Sequence, residues 1–172
     1  LNANAQFLQP VGRDEFLPLK GEKLVAAYWP RRAEQNPHLY PYERRKISKA
    51  YIAPHKPPYH YYMGGINGGE TKAYLEMIET LAANIADDYS RGIIATMHDE
   101  SHINAYLRNH PCKVLSWEYC IPEEWVEDKK PKMVFREKTC IDPYFNKGRD
   151  HSLKGKVKKA AKLLWHIVSW YV

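Results

Sequence analysis

The chain has 172 residues, 44% hydrophobic and 27% charged, which suits one globular domain with a core of its own. Net charge is +6, but Lys154, Lys156, Lys158, Lys159 and Lys162 fall in residues 153–172, a stretch without acids. Without those five, 21 bases face 20 acids, which excludes a broad nucleic-acid surface. Cys112, Cys120 and Cys140 lack C-x-x-C spacing and read as reduced thiols, excluding a disulfide frame and pointing to the cytoplasm. There is neither a signal peptide nor an apolar run of membrane-spanning length. Leu1 and "LNANAQF" read as the interior of a longer or processed chain.

The first predicted element is a buried strand in "KLVAAYW" (23–29), apolar throughout. The Pro-, Arg- and Tyr-rich stretch after it, to residue 58, reads as a long ordered loop with one short helical piece. "HYYMGGINGG" (60–69) predicts a strand running into a glycine turn. A helix over 71–89 follows, with Tyr74, Leu75, Ile78, Leu81, Ala82 and Ile85 on its apolar stripe, ended by Arg91-Gly92. "IIATM" (93–97) is a short apolar strand leading to a second helix, Asp99 to Asn109, closed by Pro111. "KVLSWEY" (113–119) and "KMVF" (132–135) read as further strands. Residues 154–172 form a basic amphipathic helix, with Val157, Ala160, Ala161, Leu164, Ile167, Val168 and Tyr171 on one face. That pattern suits an anionic membrane surface, or a helix docked on the body with its lysines in water. The organisation is therefore 1–150 as a catalytic part and 151–172 as a separate basic helix.

"MHDESHINAYL" (97–107) carries the chemistry. His98 and His102 are four apart and could share a metal on one helix face. A zinc protease needs Glu directly after the first His, and here Asp99 holds that place. Glu100 is one step on, about 100° around the helix. No third ligand follows. A zinc hydrolase on this pair therefore stays as an alternative. Asp99, Glu100 and Ser101 also suit a helix N-terminus as plain capping groups. In a third reading the acids face a crevice at a strand-to-helix junction, where a carboxylate can stabilise or attack a sugar's anomeric carbon. Aromatics make up 13% of the chain, including 13 Tyr and 5 Trp, which suits sugar clefts and ordinary cores alike. A non-enzymatic sugar-binding or membrane-surface module is the remaining alternative.

Four segments taken together, "YERRKISKAYI" (42–52), "YYMGGINGG" (61–69), "HDESHINAYL" (98–107) and "KVLSWEYC" (113–120), resemble glycosyltransferase family 6. This is the family of the blood-group A and B transferases and the α-1,3-galactosyltransferases. The likeness runs from about Leu1 to Tyr119. It implies an α/β fold of the GT-A (Rossmann-like) type, covered here from the Asn-x-Asn motif onward. It also implies an enzyme that moves N-acetylgalactosamine or galactose from a UDP-sugar to a β-galactoside, forming an α-1,3 bond with retention. By this resemblance Glu100 is the catalytic carboxylate and Asp99 holds the donor sugar, with His98 and His102 as framework. Met63, Gly64 and Gly65 match the positions that select the donor. Glycine at 65 suggests room for an acetamido group, whereas Met63 is closer to the galactose type.

Departures from the family carry information too. Asn2-Ala3-Asn4 stands where animal members have Asp-x-Asp and resembles the Asn-x-Asn of bacterial members. Neutral amides are poor ligands for a hard divalent cation, so no metal and no other cofactor is expected. Side-chain cations must then absorb the diphosphate charge. Arg136, Lys138, Lys147 and Arg149 are candidates, with Lys138 and Arg149 favoured. On the acceptor side Trp29-Pro30 replaces the family's His-Pro, and Met97 replaces a tryptophan. Ile121-Pro122 replaces Trp-Asp, with Glu123 close by. Tyr42 opens the "YERR" segment and completes the acceptor set. A fucosylated, H-antigen-like galactoside is the expected acceptor. Residues ahead of Asn-x-Asn build the uridine pocket in the family, so this chain alone should bind UDP weakly. Its expected place is the cytoplasm, peripheral on the inner face of the membrane.

Overall fold

Every side chain of the strand Leu24–Tyr28 is apolar or aromatic, so the strand is stable only with both faces covered. The computed structural model, which describes residues 1–19, 21–29, 35–126, 130–140 and 152–171, shows this. Leu24–Tyr28 (β2) is the middle strand of a sheet, antiparallel to β3 (Tyr62–Gly69) and parallel to β4 (Cys112–Leu115). Leu24 and Ala26 face two helices, α2 (Thr71–Ser90) and α3 (His98–Leu107), and meet Tyr62, Met77, Leu81, Ile103 and Leu107. Val25 and Ala27 face the other way, onto Met63, Leu115, Met133 and Phe135. The second face is closed by a small sheet in the order β1 (Ala5–Phe7), β6 (Met133–Phe135), β5 (Ile121–Pro122). A four-residue helix, α1 (Arg13–Phe16), lies between β1 and β2. Layers of helix, sheet and sheet thus enclose the mixed α/β core, and each buried aliphatic side chain contributes about 1.5–3 kcal/mol.

Several sequence expectations change. The glycines of 64–69 do not form a turn after a strand; they lie inside β3. Ala26 pairs with Asn67 and Tyr28 with Tyr62, so two steps on β2 oppose five on β3. Residues 63–66 therefore bulge out of the ladder. Gly69 is needed where β3 ends, since a Cβ there would lie 2.3 Å from the Lys23 carbonyl oxygen. On α2 the buried stripe is Met77 and Leu81, while Leu75, Ile78 and Ile85 are exposed. Of the expected stripe, Leu81 reaches the core and Tyr74 packs beside it; Met77 joins them from outside that stripe.

"IIATM" is no strand. Its backbone is satisfied by turns and side chains instead of a ladder: Ile93 N–H donates to the Asp88 carbonyl at 2.9 Å, Thr96 N–H to Glu43 Oε2 at 2.9 Å, and Arg45 donates to the Ile94 carbonyl at 2.6 Å. Glu43 is buried, and burial pushes its carboxyl up. Hydrogen bonds from Arg45 and Thr96 overcome that and hold it at about 2. Residues 117–119 form a 3₁₀ turn after β4 rather than extending the strand. Cys112 and Cys120 are free thiols, and burial pushes Cys120 up to about 12.

Among its described residues the long loop after β2 contains one 3₁₀ turn, Pro37–Leu39, and it delivers Tyr40, Tyr42 and Ile52 to a third cluster with Tyr61 and Trp170. Trp170 follows α4 (Leu153–Val168), whose N-terminus is capped by Ser152 Oγ accepting from Gly155 N–H at 3.1 Å. Trp170 Nε1 donates to the Ile52 carbonyl at 2.6 Å, fixing this end of the chain to the loop. No helix among the described residues is long and apolar enough to cross a membrane.

Candidate active site

The bulge in β3 turns backbone groups away from β2, and α3 uses them. Asn104, one turn beyond Glu100, is fully buried; its Oδ1 accepts from Tyr62 N–H at 2.8 Å. Its Nδ2 donates to the Tyr62 carbonyl at 2.9 Å and to the Glu100 carbonyl at 2.8 Å. This amide pairs Tyr62 as a neighbouring strand would, and so fixes α3 against β3. Glu100 then reaches the bulge. Its Oε2 accepts from Gly64 N–H at 2.7 Å and its Oε1 from the Tyr61 hydroxyl at 2.5 Å. The carboxylate is half-buried. A Cβ at Gly64 would lie 3.1 Å from both Cβ and Oε2 of Glu100, so glycine lets the carboxylate rest closest to the backbone here.

Asn2 adjoins the same bulge: its N–H donates to the Gly65 carbonyl at 3.0 Å. A Cβ at Gly65 would meet Asn2 Nδ2 at 3.1 Å and the Phe135 ring at 3.0 Å. The Cβ direction of Gly65 thus points at Asn2 and Phe135. Asn4 sits one step along, pairing with Arg136 through Nδ2 to the Arg136 carbonyl at 2.8 Å and Arg136 N–H to the Asn4 carbonyl at 2.8 Å. Asn4 Oδ1 is buried without a hydrogen-bond partner. The Arg136 guanidinium binds the Glu123 carboxylate at 2.9 Å and Gln6 Oε1 at 2.9 Å.

The structure thus brings together Asn2, Asn4, Gly64, Gly65 and Glu100, with Met63 buried beneath them in the core. Glu123 joins them only through Arg136. Asp99 is not with Glu100: it is exposed and lines a separate recess of about 330 Å³ with His98 and Tyr89. Met97 is the N-cap of α3, its N–H donating to Ser101 Oγ at 2.9 Å. Tyr42 is 1% exposed and donates its hydroxyl to the His60 carbonyl at 2.6 Å, a placement that gives it packing work under Tyr61 and no open face for a sugar. Trp29 is half-buried, and its N–H donates to the Tyr61 carbonyl at 3.1 Å. Lys138 is exposed at the start of a 3₁₀ turn. Lys147, Arg149 and Pro30 lie outside the described residues.

The two histidines part company. His98 is exposed, at a left-handed φ of 51°, which costs a residue with a Cβ about 1–2 kcal/mol. His102 is 3% exposed, with Nε2 3.7 Å from Asp88 Oδ2. Burial lowers its pKa, against the pull of Asp88, Glu43 and Asp99. Among the described residues no three His, Cys, Asp or Glu side chains converge as a metal site.

Sequence reasoning missed Tyr61 and Asn104 and set Arg136 aside. Asn104 had a signal, since an amide four residues after Glu100 lies on the same helix face. Tyr61 had none, because its link to Glu100 spans 39 residues.

These features define a mixed α/β protein whose carboxylate is seated on a glycine bulge beside an amide-bearing loop. The model of Glycosyltransferase family 6 matches residues 2–139, and the chain belongs to that family. It is 31% identical over 137 residues to the O-antigen biosynthesis glycosyltransferase WbnI of Escherichia coli, covering 80% of this chain and 57% of that protein. It is 36% identical over 110 residues to the human globoside alpha-1,3-N-acetylgalactosaminyltransferase 1, covering 63% of this chain and 30% of that one. With the rat histo-blood group ABO system transferase 1 it shares 43% over 81 residues, 46% of this chain and 23% of that one. The chain thus spans little more than half of the first relative's length and less of the other two.

Proposed function

We propose that this chain is the catalytic part of a retaining GT-A glycosyltransferase. It moves N-acetylgalactosamine or galactose from a UDP-sugar to a β-galactoside, forming an α-1,3 linkage. The observation that carries this is the grip on Glu100: two donors, Tyr61 Oη and Gly64 N–H, hold its carboxylate in one orientation. A fixed negative oxygen stabilises the positive charge that grows on C1 as the bond to the UDP oxygen breaks. The bonding pair leaves with UDP, and the acceptor oxygen bonds C1 as its hydroxyl proton is lost. A covalent glycosyl-enzyme and a front-face attack both use the same placement of Glu100.

Transfer without metal is part of the proposal. A divalent cation does not fit the donor set at the Asn-x-Asn loop. Both side chains are neutral amides, and Asn4 is tied through Nδ2 to the Arg136 carbonyl. Arg136, whose backbone pairs with Asn4, joins Lys138 as a candidate for the group that faces the diphosphate. The likeness to the globoside alpha-1,3-N-acetylgalactosaminyltransferase supports N-acetylgalactosamine as donor, and the proposed acceptor is a fucosylated, H-antigen-like galactoside. Trp29, at the edge of Tyr61, is the acceptor-side aromatic.

The test is release of UDP by the full-length protein from UDP-N-acetylgalactosamine and from UDP-galactose, in EDTA, with 2′-fucosyllactose as acceptor. Expected is release from at least one donor that depends on acceptor. Release only after Mn²⁺ is restored would overturn the metal-independent part, and no release under either condition would overturn the activity.

A further inference from the structure

Amphipathic surface helices normally turn their apolar side toward the core. The helix α4 instead leaves its apolar stripe, like its lysines, in solvent. At 100° per residue, Leu153, Val157, Leu164 and Val168 fall within an arc of about 60°. They are 79%, 62%, 64% and 52% exposed. The body holds the helix from behind and at its end: Gly155 is buried, the His166 carbonyl accepts from Arg44, and Trp170 is anchored at Ile52. The outward direction of the stripe is therefore fixed by contacts on the opposite side.

Charge identifies what the stripe fits. Lys154 and Lys156 flank it, about 70° and 90° from its centre. Lys158 follows, Trp165 stands 71% exposed near the Lys154 edge, and residues 152–171 contain no acid. Lysines reach past an apolar surface to bind phosphate headgroups, and indole rings favour the same interface. A second copy packed stripe to stripe would set lysine rim against lysine rim. We infer that α4 seats this protein on an anionic lipid surface, with Leu153, Val157, Leu164 and Val168 in the headgroup–acyl boundary and Lys154 and Lys156 on the phosphates. The inference is independent of the reading of Glu100.

The test is co-sedimentation of the full-length protein with vesicles of phosphatidylcholine containing about one-third phosphatidylglycerol, and with pure phosphatidylcholine vesicles. Expected is binding to the first and not the second, weakened in about half-molar salt. Val157→Glu with Leu164→Glu, and separately Lys154→Glu with Lys156→Glu, should each lower vesicle partition about tenfold or more. Turnover on soluble 2′-fucosyllactose should stay at the parental level in both. The idea is overturned if the parent ignores anionic vesicles or if the lysine pair variant binds them unchanged. It is equally overturned if the apolar variant turns a dimer into a monomer by light scattering, which would assign the stripe to a second copy. A marked drop in melting temperature in the apolar variant alone, with unchanged vesicle binding in the lysine variant, would assign it to an internal contact.

Discussion

Replacing Glu100 by Gln separates charge from shape. The carboxylate accepts from Gly64 N–H at 2.7 Å and from the Tyr61 hydroxyl at 2.5 Å. An amide fits the same space if its oxygen faces Gly64, because a backbone N–H can only donate. Its NH₂ then faces Tyr61, whose hydroxyl rotates to accept. Both contacts persist as neutral hydrogen bonds, each weaker by about 1 kcal/mol. For a chain of this length a total loss of about 2 kcal/mol lowers Tm by roughly 4–8 °C. Chemistry should suffer far more: removing one group that stabilises charge in the transition state costs about 10²–10³ in kcat. Donor KM should change little, since the loss falls on the transition state. Steady-state UDP release, with far-UV circular dichroism and a melting curve on the same sample, checks all three. A folded Glu100→Gln protein turning over within about threefold of the parent would remove Glu100 from the reaction.

Gly64→Ala leaves the charge and disturbs its seat: the new Cβ would lie 3.1 Å from Oε2, so the carboxylate must retreat by a few tenths of an ångström. The expected outcome is a kcat lower by about tenfold or more in the UDP-release assay, and an unchanged value would mean the bulge does not position Glu100. Tyr61→Phe removes one of the two donors and should lower kcat by about tenfold while the melting temperature moves little; equal loss in an unfolding-matched control would make it structural. Glu43 supplies a pH prediction. Its carboxyl is held at about 2 against 4.5 when free, so its contribution is full above about 4.5 and lost as pH falls through about 2. The contribution is on the order of 3 kcal/mol, so parent and Glu43→Gln should differ in urea stability at neutral pH and converge in acid. A gap that stays constant across that window would refute the assignment. Cys120, pushed up to about 12 by burial, should resist iodoacetamide at neutral pH until urea is added; peptide mapping of the folded, labelled protein checks this.

Legibility in the sequence followed the range of the interactions. β2 was plain because both its faces are apolar, and α2 because its period runs for 20 residues. The resemblance brought Glu100, Gly64, Gly65 and Asn2 into view as motif members, yet their contacts join residues 36 or more apart and only the fold displays them. The glycine segment misled because a bulge and a turn ask the same of a residue: no Cβ where another group must come close. "IIATM" misled because its partners are side chains of Glu43 and Arg45, and apolar composition says nothing of which groups satisfy a backbone. Asp99 and Glu100 looked like one acid pair; the helix twist sends them to different surfaces.

The Asn104 clasp makes the two walls of the site unequal in stiffness. On the carboxylate wall, four hydrogen bonds tie one helical turn to Tyr61, Tyr62 and Gly64, so helix and strand must shift as one piece. The facing wall is tied to β3 by the Asn2 backbone bond to Gly65, and otherwise to β6 through the β1 pairing and the Asn4–Arg136 bonds. On the proposed function, passage of a bulky nucleotide would therefore be accommodated by the amide-bearing wall, while the anionic anvil of Glu100 stays still.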